Sequence, residues 1–517
     1  MPTPFSFSNI IATGFTGSIT VDALIYGFRW ENNAISYSFP GVQSVWSTNP
    51  FTGYDPGDEP WSLSYAPLSL SNRSDFETAL QQWQNVADLE FELINETQNT
   101  VGDIRIAYSQ VPALSSAEAW AYLPAQGVWG GDIWVNKSSV SANREWAPGN
   151  YSFLTILHEI GHALGLTHPF DDPAFPTADN TMSSTIMSYA ALPGNQDSIF
   201  DYYPTTPMPL DIMAIQHMYG ANTDFQKDNS TILFTDDETY HETIFDTGGI
   251  DTITYTGSQH TIIQLTAGSG SYIGNAVHAI SETEQIAVPN IWIAFDTVIE
   301  NAAGGINDDE IYGNPFDNIL SGNAGNDILA GLEGNDTFLG GTGIDEVVFT
   351  GELTDYLLNK TTDGFSITHQ TGTDGNDILL EIERVRFNDK GLALDIDGHA
   401  GRIAKLVSVT FGADAVSNRD LIRTGLSLID NGASNEELAF TALTALGISS
   451  HNQLVSLLWH NLYGFDPTPD EKQPYVTLLD SQQLSAADLT ILAASTPLND
   501  ENIDLVGLMQ SGLVYSL

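Results

Sequence analysis

Residues 158–168 read His-Glu-Ile-Gly-His-Ala-Leu-Gly-Leu-Thr-His, and the fold of the N-terminal half turns on them. On a helix His158 and His162, four apart, project from one face, so both imidazoles can bind one cation. Glu159 comes one position after the first histidine, placed to handle the proton of a water at that cation without being a ligand. Gly165 stops the helix where a positive φ is needed, and the turn brings His168 round as a third ligand. Three neutral imidazoles with one open position are the donor set of a catalytic zinc rather than a structural one. A buried helix that carries histidines by chance would not need Glu159 and Gly165 at these spacings.

Residues 304–348 hold a second pattern, five consecutive nonapeptides without slippage: GGINDDEIY, GNPFDNILS, GNAGNDILA, GLEGNDTFL and GGTGIDEVV. They follow the G-G-x-G-x-D-x-U-x repeat, in which glycines let the turn curl, the sixth-position acid and turn carbonyls hold Ca²⁺, and the eighth residue fills the core of a parallel β-roll. First positions are Gly304, Gly313, Gly322, Gly331 and Gly340; calcium-facing fourth positions are Asn307, Gly325, Gly334 and Gly343. Sixth positions are Asp309, Asn318, Asp327, Asp336 and Asp345, and eighth positions Ile311, Leu320, Leu329, Phe338 and Val347. The second repeat departs from the pattern, with Pro315 and Phe316 in its turn and Asn318 for Asp, which predicts a weaker site. A flexible Gly/Asp/Asn-rich linker would not keep an apolar residue at every eighth position.

Between these patterns lies Ser184-Thr185-Ile186-Met187-Ser188-Tyr189. With Thr155–Pro169, Ile186–Tyr189, Leu210–Asn222, Ile244–Thr252 and Ile299–Gly305 in this order, the chain resembles the serralysins, the bacterial RTX-type branch of the metzincin metalloproteases. The resemblance covers roughly the first three quarters of the chain and implies a protease acting on protein and peptide substrates. Met187 would form the tight turn packed beneath the zinc. Tyr189 would be a further zinc ligand that swings away to help hold the transition-state oxyanion. Ala119, Trp120, Ala121 and Tyr122 align with the edge strand that pairs with extended substrate, and Asp246, Gly248, Gly249, Asp251 and Glu300 with calcium positions near the domain junction. The resemblance also implies export by a one-step type I exporter that reads an uncleaved C-terminal signal. The ending Gly-Leu-Val-Tyr-Ser-Leu lacks the acidic-then-apolar pattern usual in that family. His217, in a helical segment behind the metal motif, reads as a satisfied core histidine, since the zinc already has its ligands.

Composition narrows the partners. Fifteen Lys plus Arg against 66 Asp plus Glu give a formal charge of −51, which argues against nucleic acid and anionic membranes as partners. The chain has no Cys, which excludes a disulfide framework, a thiolate zinc site and cysteine-switch latency. Bound calcium is the expected substitute source of rigidity. The first residues, MPTPFSFSNIIATGF, lack a basic region and a continuous apolar run, so no signal peptide is read there. No run is long and apolar enough to insert in a membrane. That alone would suggest the cytoplasm, but the repeats point outside the cell, secreted or associated with its surface.

The expected architecture is multidomain: a short N-terminal segment or propeptide (1–17), an α+β metzincin domain (18–243), an RTX β-roll or β-sandwich (244–397) and an all-α domain (398–517). In the first domain Asp75–Asp88 has helical apolar spacing, while Asp103–Tyr108, Ala119–Leu123 and Gly130–Asn136 read as strands. Leu379–Asp389 alternates like closing strands. Ala400–Phe411, Asn418–Asp430, Asn435–Leu446, His451–Leu462 and Ala486–Ala494 read as helices. This helical tail resembles domains appended to bacterial RTX and surface-layer proteins, where it would meet a surface or a protein partner. The reading is a zinc endopeptidase stabilised by calcium. Alternatives are a protease devoted to surface-protein processing or self-release, and a non-enzymatic RTX adhesion protein.

Overall fold

Central to the first half of the molecule is a twisted sheet whose strands are covered on both faces. The computed structural model describes residues 2–111, 116–139 and 141–517. The chain separates into two compact units, Met1–Ile299 and Glu300–Leu517. In the first, β1 (Ala34–Ser38), α1 (Leu70–Val86), β2 (Glu90–Leu93), β3 (Ile104–Ser109), β4 (Ala119–Ala121) and β5 (Ile133–Asn136) build the sheet and its main cover. The order is β2-β1-β3-β5-β4. All neighbours run parallel except β4, which lies antiparallel on β5 with Trp120 opposite Trp134. Among the described strands β4 is therefore an edge.

Every residue of β3 is buried, and its alternation sorts two cores. Ile104, Ile106 and Tyr108 join the large core under α1 and the metal-motif helix, α2 (Tyr151–Leu164). Ala107 faces the opposite side, where Trp46, Tyr54 and Trp134 form a separate aromatic cluster. On that side the Arg105 guanidinium stacks 3.5 Å from the Trp46 ring centre and pairs with Glu96 at 2.8 Å. A cation buried this deeply is tolerated because it is paired and hydrogen-bonded. In α1, Phe76, Ala79, Leu80, Trp83 and Val86 recur at helical spacing and are all buried. The Ser69 hydroxyl caps the helix by accepting from the Asn72 N–H. Behind α2 lies α3 (Pro209–Tyr219), which completes the core.

The second unit begins as two parallel stacks. One is β6 (Asn301–Ala303), β8 (Ile319–Ala324), β10 (Thr337–Thr342) and β12 (Asn376–Leu380); the other is β7 (Glu310–Tyr312), β9 (Ile328–Ala330), β11 (Glu346–Val348) and β13 (Arg384–Arg386). Within each stack successive strands pair in parallel, so one coil of the roll consumes two nonapeptides. Ile311, Leu320, Leu329, Phe338 and Val347 are fully buried between the stacks. The hairpin Tyr356–Lys360 and Gly364–His369 interrupts the repeat, and its second strand pairs antiparallel with β12.

The second stack continues antiparallel through β14 (Gly391–Ala393), and the described chain ends on β15 (Leu513–Tyr515), antiparallel to β14. Between them come α4 (His399–Phe411), α5 (Arg419–Asp430), α6 (Asn435–Ala445), α7 (His451–Tyr463), α8 (Pro469–Asp480) and α9 (Ala486–Ala494). Arg384 ties roll to helices: it donates to Asp395 at 2.6 Å and to Asp430 of α5 at 2.8 Å. Helix α8 is not among the helices expected from apolar spacing. Pro469 sits in the first turn, where no N–H is needed, and a Thr468–Glu471 capping box fixes the start, so Pro474 costs a single interior hydrogen bond. No helix among the described residues is long and apolar enough to cross a membrane.

Candidate active site and metal centres

Helix α2 is held at both ends. The Asn150 side chain accepts from the Phe153 N–H, and Gly165 adopts φ 113° in the left-handed region. A Cβ at Gly165 would also lie 2.7 Å from the Phe28 carbonyl oxygen, so the turn that swings His168 back is open only to glycine. Two indoles brace the helix: Trp83 donates to the Leu157 carbonyl at 3.1 Å and Trp30 to that of Ala163 at 2.9 Å. Gly161 allows Met187 to pack against the helix, where a Cβ would sit 2.8 Å from its sulfur. Met187 is fully buried there.

The three imidazoles converge so that their nitrogens lie within 4.8 Å of one another, the one such His/Asp/Glu group among the described residues. His162 Nε2 is 3.0 Å from His168 Nε2, which is 3.3 Å from His158 Nε2. His158 Nδ1 lies 2.7 Å from the Ile186 carbonyl and His162 Nδ1 2.7 Å from that of Leu166. A carbonyl oxygen accepts, so Nδ1 carries the proton in both rings and Nε2 presents a lone pair. Burial, aided by the neighbouring imidazoles, holds His158 well below the usual imidazole range and His162 down to about 3. His168 is lowered by burial too, while Asp171 opposes the shift. Neutral rings aiming lone pairs at one point suit a divalent cation of nitrogen preference, and zinc fits.

Glu159 and Tyr189 flank this point. The Glu159 carboxylate is buried, and its Oε2 has no hydrogen-bond partner. Burial pushes it up to about 8, against a hydrogen bond from the Ala121 backbone; a cation at the imidazoles would pull it back down. The Tyr189 phenol is 2.9 Å from His168 Nε2, yet the residue is 50% exposed, so the ring can move. Asp211 of α3 was not read from the sequence. Fully buried, it accepts from Thr185 Oγ1 at 2.5 Å, Ile186 N at 2.8 Å and Met208 N at 2.9 Å, fixing the turn whose Ile186 carbonyl orients His158. An acid one residue after an apolar Pro-Leu pair opening a helix was the available signal. His217 is exposed on α3 and bonds the Gly14 carbonyl at 2.8 Å, so it is not a core residue. The buried face of α3 carries Leu210, Asp211, Ala214, Ile215 and Met218 at helical spacing, and His217 falls on the opposite side with Met213 and Gln216.

A cleft of about 760 Å³ runs beside the imidazoles, lined by Ala119, Tyr151, His158, Glu159, Tyr189 and Tyr203 among others. Edge strand β4 forms one wall. Glu118 and Tyr122 exchange backbone hydrogen bonds with the β5 side, so by alternation the N–H and C=O groups of Ala119 and Ala121 point to the open edge. The Trp120 and Tyr122 side chains turn to the opposite face, into the aromatic cluster.

In the roll, the sixth-position side chains form ladders. Asp327 Oδ1 accepts from Asp309 N at 2.7 Å, Asp336 from Asn318 N at 2.8 Å and Asp345 from Asp327 N at 2.9 Å. The ladders extend to Asp377, which accepts from Asp336 N at 2.8 Å, and Glu383, which accepts from Asp345 N at 2.9 Å. Neither was read as a site from the sequence, although Gly372–Leu380 (GTDGNDILL) repeats the nonapeptide pattern out of phase. Burial, with neighbouring carboxylates, pushes Asp327 and Asp336 up to about 7, Asp345 to about 6 and Asp377 to about 8. Asp327, Asp345 and Asp377 each keep one buried oxygen without a protein partner. First-position glycines lie against these acids: a Cβ at Gly322 or Gly331 would collide with the Asp327 or Asp336 carboxylate. Gly325, Gly334 and Gly343 have φ of 128°, 117° and 148°. Buried oxygens stacked in such a cradle suit calcium. Asn318 differs, for its amide donates to the Glu300 carbonyl at 2.8 Å and to Asn314 at 3.0 Å.

The remaining residues expected to bind calcium fall in different units. Asp246 and Asp251 are buried in the first, on the loop where Gly248 and Gly249 take φ of 152° and 125°. Asp246 accepts from the Gly248 N–H at 2.8 Å and Asp251 from Ser230 N at 2.6 Å. Glu300 and Asn307 belong to the second unit.

Comparison with known proteins finds family matches in both halves of the molecule. The Matrixin family model matches residues 65–186, and that of the RTX calcium-binding nonapeptide repeat (4 copies) matches residues 312–347. A serralysin of Photorhabdus luminescens is 32% identical over 344 residues, covering 61% of this chain and 67% of that protein. One from Photorhabdus laumondii is 31% identical, covering 61% of this chain and 68% of its own. The metalloprotease AprA of Pseudomonas entomophila is 32% identical over 286 residues, 50% of this chain and 56% of that protein.

Proposed function

We propose, for a chain that belongs to the serralysin-type metzincins and is a calcium-stabilised zinc metalloendopeptidase, that Glu159 is its general base and Tyr189 its oxyanion donor. His158, His162 and His168, with Tyr189 at rest, would hold the zinc. Zinc, when bound, supplies a Lewis acid that polarises the scissile carbonyl and acidifies water. The observation that carries the reading is the pair of Nδ1–carbonyl bonds on His158 and His162, which leaves lone pairs converging beside the buried Glu159 carboxylate.

The chain's own residues do the rest. An extended peptide pairs with the outward backbone groups of Ala119 and Ala121, which aligns its scissile bond with Glu159. Glu159 takes the proton of the attacking water and delivers it to the leaving amine. Tyr189, swung away from His168, donates its O–H to the oxygen that gains charge in the transition state. Asp246, Asp251, Glu300 and the sixth-position acids of the roll are the calcium ligands in this reading, with the Asn318 site the weakest. Their demand for calcium supports an extracellular place of work, reached through a type I exporter while the calcium-free roll is still loose. The division into residues 18–243, 244–397 and 398–517 is kept as the functional one. Stripping zinc should abolish cleavage of an unstructured protein such as casein, and one equivalent should restore it. Cleavage by zinc-free protein would contradict the assignment.

A further inference from the structure

The buried carboxylate of Glu59 lies outside everything assigned above. It sits on a short helical turn, Glu59–Trp61, in the loop that covers the back face of the sheet, and is 1% exposed. The loop is pinned there, since Ser109 Oγ at the end of β3 donates to the Glu59 carbonyl at 3.2 Å. One oxygen of the carboxylate, Oε1, accepts from Trp120 Nε1 of β4 at 2.6 Å and from the hydroxyl of Tyr122, directly after the strand, at 3.0 Å. Taking a carboxylate out of water is costly, and burial raises its pKa despite these donors. Part of that cost is offset by the two hydrogen bonds to Oε1, which reach β4 and the residue directly after it, while Oε2 has no partner.

Besides its packing on the main core, the strand is held by a single hydrogen-bonded neighbour. It is three residues long and bonds β5 on one side only. Its other two residues are alanines, which pack on the main core but offer it only a methyl group each. A short edge strand with one ladder is prone to fray or slip, and a slip of one residue would turn Ala119 and Ala121 away from the cleft. The same strand carries the Ala121 backbone group that meets the Glu159 carboxylate.

We infer that Glu59 is a positioning residue for catalysis, clamping the indole of Trp120 and the phenol of Tyr122 from behind so that the edge backbone at Ala119 and Ala121 is held in register for the substrate peptide. This rests on the reading of β4 as the substrate-pairing edge. Glu59 touches neither substrate nor the reacting atoms, and its effect passes through the strand. The clamp therefore counts for more the further a peptide extends along β4. A substrate too short to pair with the strand gains nothing from it.

The test compares the zinc-loaded wild type with Glu59→Ala, Glu59→Gln and Trp120→Phe on an extended peptide and on a truncated one spanning only the scissile bond. Zinc content and amide hydrogen exchange over residues 119–122 are measured on each. The wild type should favour the extended peptide. Glu59→Ala should raise KM for it about tenfold or more, with a smaller change in kcat, and leave the truncated peptide nearly unaffected. Exchange at the Trp120 and Tyr122 amides, which face β5, should quicken while zinc content is unchanged. Glu59→Gln, which keeps an acceptor for the indole, should restore most of the loss, and Trp120→Phe should reproduce part of it without emptying the site behind the strand. A wild type with no preference for length would sink the edge reading itself. A wild type that prefers the extended peptide, with Glu59→Ala retaining that preference and unchanged exchange, would overturn the clamp alone. Equal losses on both peptides would also overturn it, as they would mark Glu59 as a folding residue only.

Discussion

At the scale of single residues, the site is a set of protons placed by hydrogen bonds. Ile186 and Leu166 each take an Nδ1 proton with a carbonyl, and that choice turns two histidines into lone-pair donors. His158, Glu159, His162 and His168 were legible because their spacing has one economical explanation. Asp211 was not, since a lone acid beside a helix start has many, and its partners come from a turn far away in the chain. Tyr189 is the residue whose function most needs a test. Replacing it with Phe removes the O–H and little else, so zinc content should stay at one while kcat falls about 100-fold, the usual scale for losing one oxyanion donor. Zinc analysis beside turnover on a peptide substrate checks both halves. A variant with full turnover would confine the phenol to packing.

Elements make the next level, and here the legible and the hidden separate by periodicity. Exact phase over five nonapeptides showed the roll, and apolar spacing showed α4 to α7 and α9. The hairpin Tyr356–His369 shifted the phase and hid Asp377 and Glu383, which continue the same ladders. Prolines hid α8, although a capping box and a first-turn proline are where a helix tolerates them. That β4 is the edge of the sheet could be placed only by resemblance, because a strand pattern does not say which neighbours the strand has. The hidden repeat gives a prediction: Asp377→Ala should lower the number of calcium ions bound per chain, read by titration of the chelator-stripped protein. Unchanged stoichiometry and affinity would remove Asp377 from the ladder.

For the whole molecule, charge and calcium are one problem. A chain of formal charge −51 repels itself, and its buried ladder concentrates that repulsion. Without calcium, the folded-state values of Asp327, Asp336, Asp345 and Asp377, about 6 to 8, lie above the ordinary 3.8 of the unfolded chain. The folded roll then binds more protons than the unfolded one, so this contribution is fully present below the unfolded value and lost as pH rises through the folded ones. In chelator, the melting temperature should therefore fall steadily from pH 4 to pH 8. Excess calcium should flatten or reverse that slope, and a chelated roll that is equally stable at both ends would contradict the ladder. The claim on which the rest depends is that three imidazoles hold zinc and Glu159 moves the proton. Its most direct measurement is casein hydrolysis by the wild type beside Glu159→Ala, with zinc determined on both. One zinc in each protein and cleavage by the wild type alone is the predicted result; a Glu159→Ala protein that binds zinc and cleaves at the wild-type rate would contradict it.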